Sequence, residues 1–135
     1  MASTGCTCWA PGTRASAGAN ASLSGTLGNT GTGDFTVDTL TCDLPVSTWR
    51  PGGSLALSCP GGTNASLACN SGCATNRPTY RLNESIPGGR TCTFTVPVAV
   101  PAGTAVGLYP IAVQTWSSQM AFGGASETWF RDAAI

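Results

Sequence analysis

The residues best equipped for chemistry in this 135-residue chain are its seven cysteines, Cys6, Cys8, Cys42, Cys59, Cys69, Cys73 and Cys92. Such density points to an oxidising destination and to disulfides. Cys59, Cys69 and Cys73, spaced C-x9-C-x3-C, are near enough in sequence for one local bridge. Closing a loop of about 15 residues is worth ~3 kcal/mol in the chain-entropy model. Cys42 and Cys92 both fall in expected core strands, which makes an inter-sheet bridge one candidate pairing. Cys6 and Cys8 point apart if the backbone is extended, so each reaches elsewhere. Sequence does not set the connectivity, and an odd count leaves one thiol free or bonded to another chain. A zinc site would want C-x2-C pairs or histidine, and the chain has neither. A redox enzyme would want C-x-x-C.

Other chemistries fare worse. There is no histidine and no lysine to activate a serine, and no G-x-S-x-G run. Glu84 and Glu127 are the pair a glycosidase could use, but nothing in the sequence brings them together. Asp34, Asp38 and Asp43 lack the spacing of a calcium loop and read as solvated strand ends. Asn20-Ala-Ser, Asn64-Ala-Ser and Asn83-Glu-Ser match the N-glycosylation sequon. They matter only on a glycosylating route. The expectation is no catalytic residue, no metal and no cofactor. Trp9, Trp49, Trp116 and Trp129 could form a carbohydrate platform. Core and interface packing is the preferred reading, with Trp9, Phe122, Trp129 and Phe130 as candidate subunit contacts.

Whatever positions these groups is built from strands. Charged residues make up 9% of the chain, six arginines against six carboxylates, for zero net charge. A nucleic-acid binder would show a basic patch, whereas a neutral surface of this kind favours self-association. Thr, Ser, Ala and Gly dominate, and Gly and Pro punctuate. In the stretch Gly88–Trp116, Cys92, Phe94, Val96, Val98 and Val100 alternate with Thr91, Thr93, Thr95, Pro97 and Ala99. That is the period of a strand with one buried face. Pro101-Ala102-Gly103 breaks it, and a second strand runs from about Val106 to Trp116. No charge occurs between Thr91 and Ser126. Its prolines and its period of two exclude a transmembrane helix.

Further strands are expected over 20–27, 34–44, 55–59, 79–86 and 125–131. In the second, the apolar parity switches from Phe35 and Val37 to Leu40, Cys42 and Leu44, which predicts a bulge near Asp38-Thr39. Residues 1–18 read as an irregular arm, 19–135 as one domain, and 59–78 as a Cys-rich loop within it. Met1–Gly5 lacks the charged and apolar regions of a signal peptide. That suggests a mature form with an added Met, or release without the secretory pathway.

Asn29-Thr30-Gly31, Phe35-Thr36-Val37-Asp38-Thr39-Leu40 and Leu44-Pro45 resemble the opening run of the Ig-like conserved-repeat modules of prokaryotic surface proteins. Pro87-Gly88-Gly89 with Thr93-Phe94-Thr95-Val96, and Val100-Pro101-Ala102-Gly103 with Gly107-Leu108-Tyr109, resemble the later run. The likeness covers residues 20–116 and implies an all-β fold, an Ig-like antiparallel sandwich of about seven strands. It carries over no catalytic site. The chain departs from it in the arm, the 59–73 insertion and the aromatic tail.

These observations lead to a non-enzymatic structural protein that assembles with itself or with a capsid or filament protein. A phage decoration or capsid-stabilising role, in a virion, is the first expectation. The alternatives are a subunit of an extracellular filament, with the arm or tail donated as a strand, or a secreted carbohydrate-binding or adhesion module. Neither nucleic acid nor a membrane span is expected.

Overall fold

The computed structural model describes residues 2–5, 11–14, 16–117 and 125–134, with backbone alone for 2–5, 11–14, 63 and 125–134. The described residues form strands and no helix. They are β1 (Ala2–Gly5), β2 (Pro11–Arg14), β3 (Asn20–Asn29), β4 (Phe35–Asp43), β5 (Arg50–Pro51), β6 (Leu55–Cys59), β7 (Thr63–Leu67), β8 (Thr79–Ile86), β9 (Thr91–Ala99), β10 (Leu108–Ser117) and β11 (Ala125–Ala134).

Two sheets face each other. One has the order β1-β3-β9-β6-β7, with β5 also on β9, and the other the order β2-β11-β10-β4-β8. The orders β1-β3-β9-β6 and β11-β10-β4 match A-B-E-D and G-F-C of an Ig-like sandwich. The strand β9 sits at the centre of its sheet because both of its neighbours match its alternation. Cys92, Phe94, Val96 and Val98 are buried in β9, as are Leu23 and Leu27 in β3 and Leu55, Leu57 and Cys59 in β6. From the opposing sheet, Val37, Leu40, Cys42, Tyr80, Leu82, Ile86, Ile111 and Val113 close the core. The Pro101–Gly103 break is therefore a sheet-to-sheet connection: β9 lies in one sheet and β10 in the other.

The expected parity switch is present. Phe35 and Val37 are buried, then Leu40 and Cys42, and the β4–β8 register shifts between Val37 and Thr39. Opposite the shift, Asn83 adopts φ 46°, a left-handed conformation that asparagine tolerates better than most residues.

Three expectations change. The segment 1–18 contributes two strands: β1 pairs antiparallel with β3, and β2 pairs parallel with β11, so one short stretch joins both sheets. The loop expected over 59–78 contains β7, folded back on β6 in a hairpin. Thr63–Leu67 has too little apolar alternation to announce a strand. Gly61 and Gly62, at φ 95° and 97°, supply the left-handed backbone that turns the chain there. The inter-sheet Cys42–Cys92 pairing is also replaced. Cys92 bonds Cys59 on the adjacent strand, Cα–Cα 4.2 Å, while Cys42 stays a buried thiol on the opposite sheet. With Ser58 opposite Thr93 in the register, Cys59 and Cys92 fall as direct neighbours. Cys69 bonds Cys73. Cys6 and Cys8 lie outside the described residues.

Each end of the sandwich is tied by a polar or aromatic fastening. At one end Asn29 is buried, and its Nδ2 donates to the carbonyls of Gly33 and Ile86, both at 2.8 Å. Its Oδ1 accepts from Gly31 N at 2.9 Å. This amide joins the 30–34 turn to the end of β8. Gly88 lies against the same turn, where a Cβ would stand 2.5 Å from the Thr32 carbonyl. At the other end Tyr109 donates its hydroxyl hydrogen to Ala105 O at 2.8 Å, the tyrosine-corner arrangement of Ig-like sandwiches.

Two outcomes follow. Asn29→Ala leaves two carbonyls and an N–H without their side-chain partner and lowers stability by about 2–4 kcal/mol in urea unfolding. Asn29→Asp is no rescue, because a carboxylate cannot donate to those carbonyls. Opening the Cys59–Cys92 bridge, which spans a sequence separation of 33, costs about 4 kcal/mol by Cys59→Ala/Cys92→Ala. The Cys69→Ala/Cys73→Ala pair, separated by 4, costs about 2 kcal/mol. Equal losses from the two pairs would contradict the loop-entropy account.

Candidate functional site

Two concave surfaces lie on opposite parts of the sandwich. The first is the outer face of the β3-β9-β6-β7 sheet. Register places Ser24, Thr95, Ala56 and Ser66 in one cross-strand row and Thr26, Thr93, Ser58 and Asn64 in the next. Ser24 and Thr95 share a hydroxyl–hydroxyl hydrogen bond of 3.1 Å. These residues point outward because their chain neighbours, such as Phe94 and Leu57, are the buried ones. A depression of about 340 Å³ runs between Ala56, Ser58, Asn64, Ser66, Thr93 and Thr95. Neither row holds a charge, so the surface offers hydroxyl and amide hydrogen bonds with no electrostatic preference.

The second is a cleft of about 360 Å³ at the Tyr109 end, lined by Val46, Trp49, Pro101, Gly103 and Tyr109 among others. Trp49 and Tyr109 meet at a ring-centroid distance of 5.0 Å and 48°, an arrangement favoured by the aromatic quadrupole. Val106 and Leu108, 90% and 66% exposed, stand in the chain just before Tyr109. Among the described residues, Trp49 Nε1 is a buried side-chain polar atom without a hydrogen-bond partner. The Arg50 guanidinium is spent on the carbonyls of Ser47 and Trp49.

The four tryptophans do not form one platform. Trp49 belongs to the core, and Trp116 is 42% exposed on β10 in the other sheet. The side chains of Trp9, Phe122, Trp129 and Phe130 lie outside the described residues, though Trp129 and Phe130 take register opposite Val113 and Ala112. Asp34 precedes the nine-residue strand β4 and Asp43 is its last residue, about 30 Å apart at strand rise. Asp43 instead pairs with Arg77, and no grouping of three metal-ligating side chains occurs among the described residues. Glu84 is on β8 and Glu127 on β11, with β4 and β10 between them. Their backbones are therefore at least about 14 Å apart. All three sequon asparagines, Asn20, Asn64 and Asn83, are exposed, and Asn20 Nδ2 donates to Gly52 O at 3.4 Å.

The loop 68–78 is pinned as well as bridged. Asn76 Nδ2 donates to Leu44 O at 2.9 Å, Leu44 N donates to Asn76 O at 2.9 Å, and Arg77 joins Asp43. Sequence reasoning missed Asn76. The only available signal was an Asn in a Pro- and Gly-rich loop, which is too common to single out.

No family model and no curated protein matches the chain. Solved structures do. The chain is similar to a collagen-binding domain from a Staphylococcus aureus adhesin at 6% identity and TM-score 0.55, covering 87% of this chain and 89% of that one. It is similar to a variant of the major pilin subunit of Bacillus cereus at 10% identity and TM-score 0.54, covering 90% of this chain and 36% of the pilin. A family 123 glycoside hydrolase from Clostridium perfringens is matched at 10% identity and TM-score 0.50, over 90% of this chain and 22% of that one. The chain thus spans most of the adhesin domain but a minor part of the pilin and the hydrolase. The shared feature is the fold, an Ig-like β-sandwich.

Burial pushes the Cys42 thiol up to about 12, with the Asp43 carboxylate adding to the rise. Burial likewise pushes Tyr80 up to about 12, with Cys42 contributing. Folding holds both protons. The stabilisation is complete below the unfolded thiol's value, 9.0, and is lost as pH rises towards 12. The urea midpoint should therefore fall between about pH 8 and pH 11, and Cys42→Ala should flatten part of that decline. In the native protein Cys42 should resist thiol reagents that label it at once in denaturant.

Proposed function

We propose that the chain is a non-enzymatic structural module of an extracellular surface, working as a filament subunit or an adhesion domain. The observation that carries this is the uncharged, hydroxyl-lined outer face of the β3-β9-β6-β7 sheet. It provides a broad contact surface whose rows of Ser, Thr and Asn suit an uncharged polar polymer. Two further features support the reading. The Cys59–Cys92 and Cys69–Cys73 bridges suit an oxidising, extracellular setting. The sandwich shares its fold with domains of a collagen-binding adhesin and a pilin. The virion setting expected from the sequence draws no support from these neighbours, whereas the filament and adhesion alternatives do.

The test is binding of the full chain to insoluble collagen, chitin and cellulose by co-sedimentation, with electron microscopy of the same sample for filaments. Thr93→Glu with Ser58→Glu places two carboxylates in the depression and should cut binding to any polymer retained by the unsubstituted chain at least ~10-fold. A chain that neither binds any of these polymers nor forms filaments overturns the reading.

A further inference from the structure

Sheet edges are the places where a β-sandwich can add a strand, and native proteins blunt them with charge, proline or bulges. The sheet β2-β11-β10-β4-β8 is blunted at both ends. Its β2 edge begins at Pro11 and ends at Arg14. Its β8 edge carries exposed Arg81 and half-buried Glu84, and it is broken by the register shift and by Asn83 at φ 46°. The other sheet ends at β1, which is only four residues long and closes on Gly5, and at β7, which has none of these devices. Thr63-Asn64-Ala65-Ser66-Leu67 contains no charge, no proline and no glycine, and residues 51–76 around it are wholly uncharged. Among the described residues, β7 pairs with β6 on one side and ends the sheet on the other. Ala65 and Leu67 pack against the core yet stay half-exposed. A strand laid along β7 would cover what remains of them and satisfy the backbone groups that face away from β6.

We propose that β7 is a self-association edge, and that a second copy of this chain occupies it by pairing its own β7 antiparallel about a two-fold axis at Ala65. The inference rests on the surface-assembly reading above and names a partner for it. Two-fold pairing sets Ala65 against Ala65, Asn64 against Ser66 and Thr63 against Leu67. No like charges meet, and an amide faces a hydroxyl on the outer side. Zero net charge removes long-range repulsion between the copies. The result is one sheet running through both molecules, with β1 of each copy at its far ends.

The experiment is sedimentation equilibrium on the full chain across a concentration series, with amide hydrogen exchange at the lowest and highest concentrations. The expected result is a dimer whose residues 63–67 gain protection as concentration rises. Asn64→Lys with Ser66→Lys alters exposed side chains only and brings ammonium groups together across the axis. It should weaken the dimer at least ~10-fold. Ser85→Lys on the β8 edge should leave the dimer unchanged, and thermal melts of both variants should match that of the unsubstituted chain. A chain that stays monomeric throughout, a dimer indifferent to the β7 substitutions, or protection gained only elsewhere overturns the proposal. A monomer that still binds a polymer removes the β7 edge and leaves the surface-module reading intact. A β7 dimer that binds no polymer and forms no filament does the reverse.

Discussion

The buried amide of Asn29 is the interaction on which the ends of this sandwich depend. An amide out of water is costly unless its donors and acceptor are all met. Here one side chain answers to Gly31, Gly33 and Ile86 at once. In doing so it fixes the turn between the two sheets relative to the strand that precedes β9. Gly88 is part of the same constraint, since any side chain there would displace the Thr32 carbonyl. The Asn-Thr-Gly and Pro-Gly-Gly runs, far apart in sequence, are thus two halves of one contact. Their joint occurrence marks this end of the sandwich in the sequence.

The covalent constraint is placed differently. Cys59–Cys92 links neighbouring strands of one sheet and so reinforces a pairing that hydrogen bonds already specify. The contact between sheets is left to apolar packing, to hydrogen bonds such as Asn29 to Ile86 O, and to β1 and β2, which are close in sequence yet pair at the edges of opposite sheets. The result is a rigid frame with plain outer surfaces. Its chemistry is that of contact: rows of hydroxyls on one sheet, an aromatic-floored cleft at one end, and a β7 edge free of charge and proline.

Much of this fold was legible in the sequence. Alternation located β3, β4, β6, β9 and β10, because a half-buried strand must repeat every two residues. The parity switch at Asp38-Thr39 located the irregularity in β4. The strands β1, β2 and β7 went unread for different reasons. β7 is short and polar, and it exists because Gly61 and Gly62 return the chain to the edge of β6. β1 and β2 are held by pairing with β3 and β11, a condition invisible in their own composition. The candidate surfaces were harder still. Trp49 lies in the core beside Tyr109, in keeping with the packing preferred for the tryptophans, and Trp116 stands apart from it on β10.

By itself the sequence determined an all-β sandwich, its central strands, a neutral surface and a disulfide-bearing chain, because period, composition and cysteine number are local properties. Only the tertiary structure decided the rest: which cysteines pair, that Cys42 stays a buried thiol, that Gly88 packs on the turn held by Asn29, and where each sheet ends. Each depends on the register between strands distant in sequence. That register is set by the whole core closing at once.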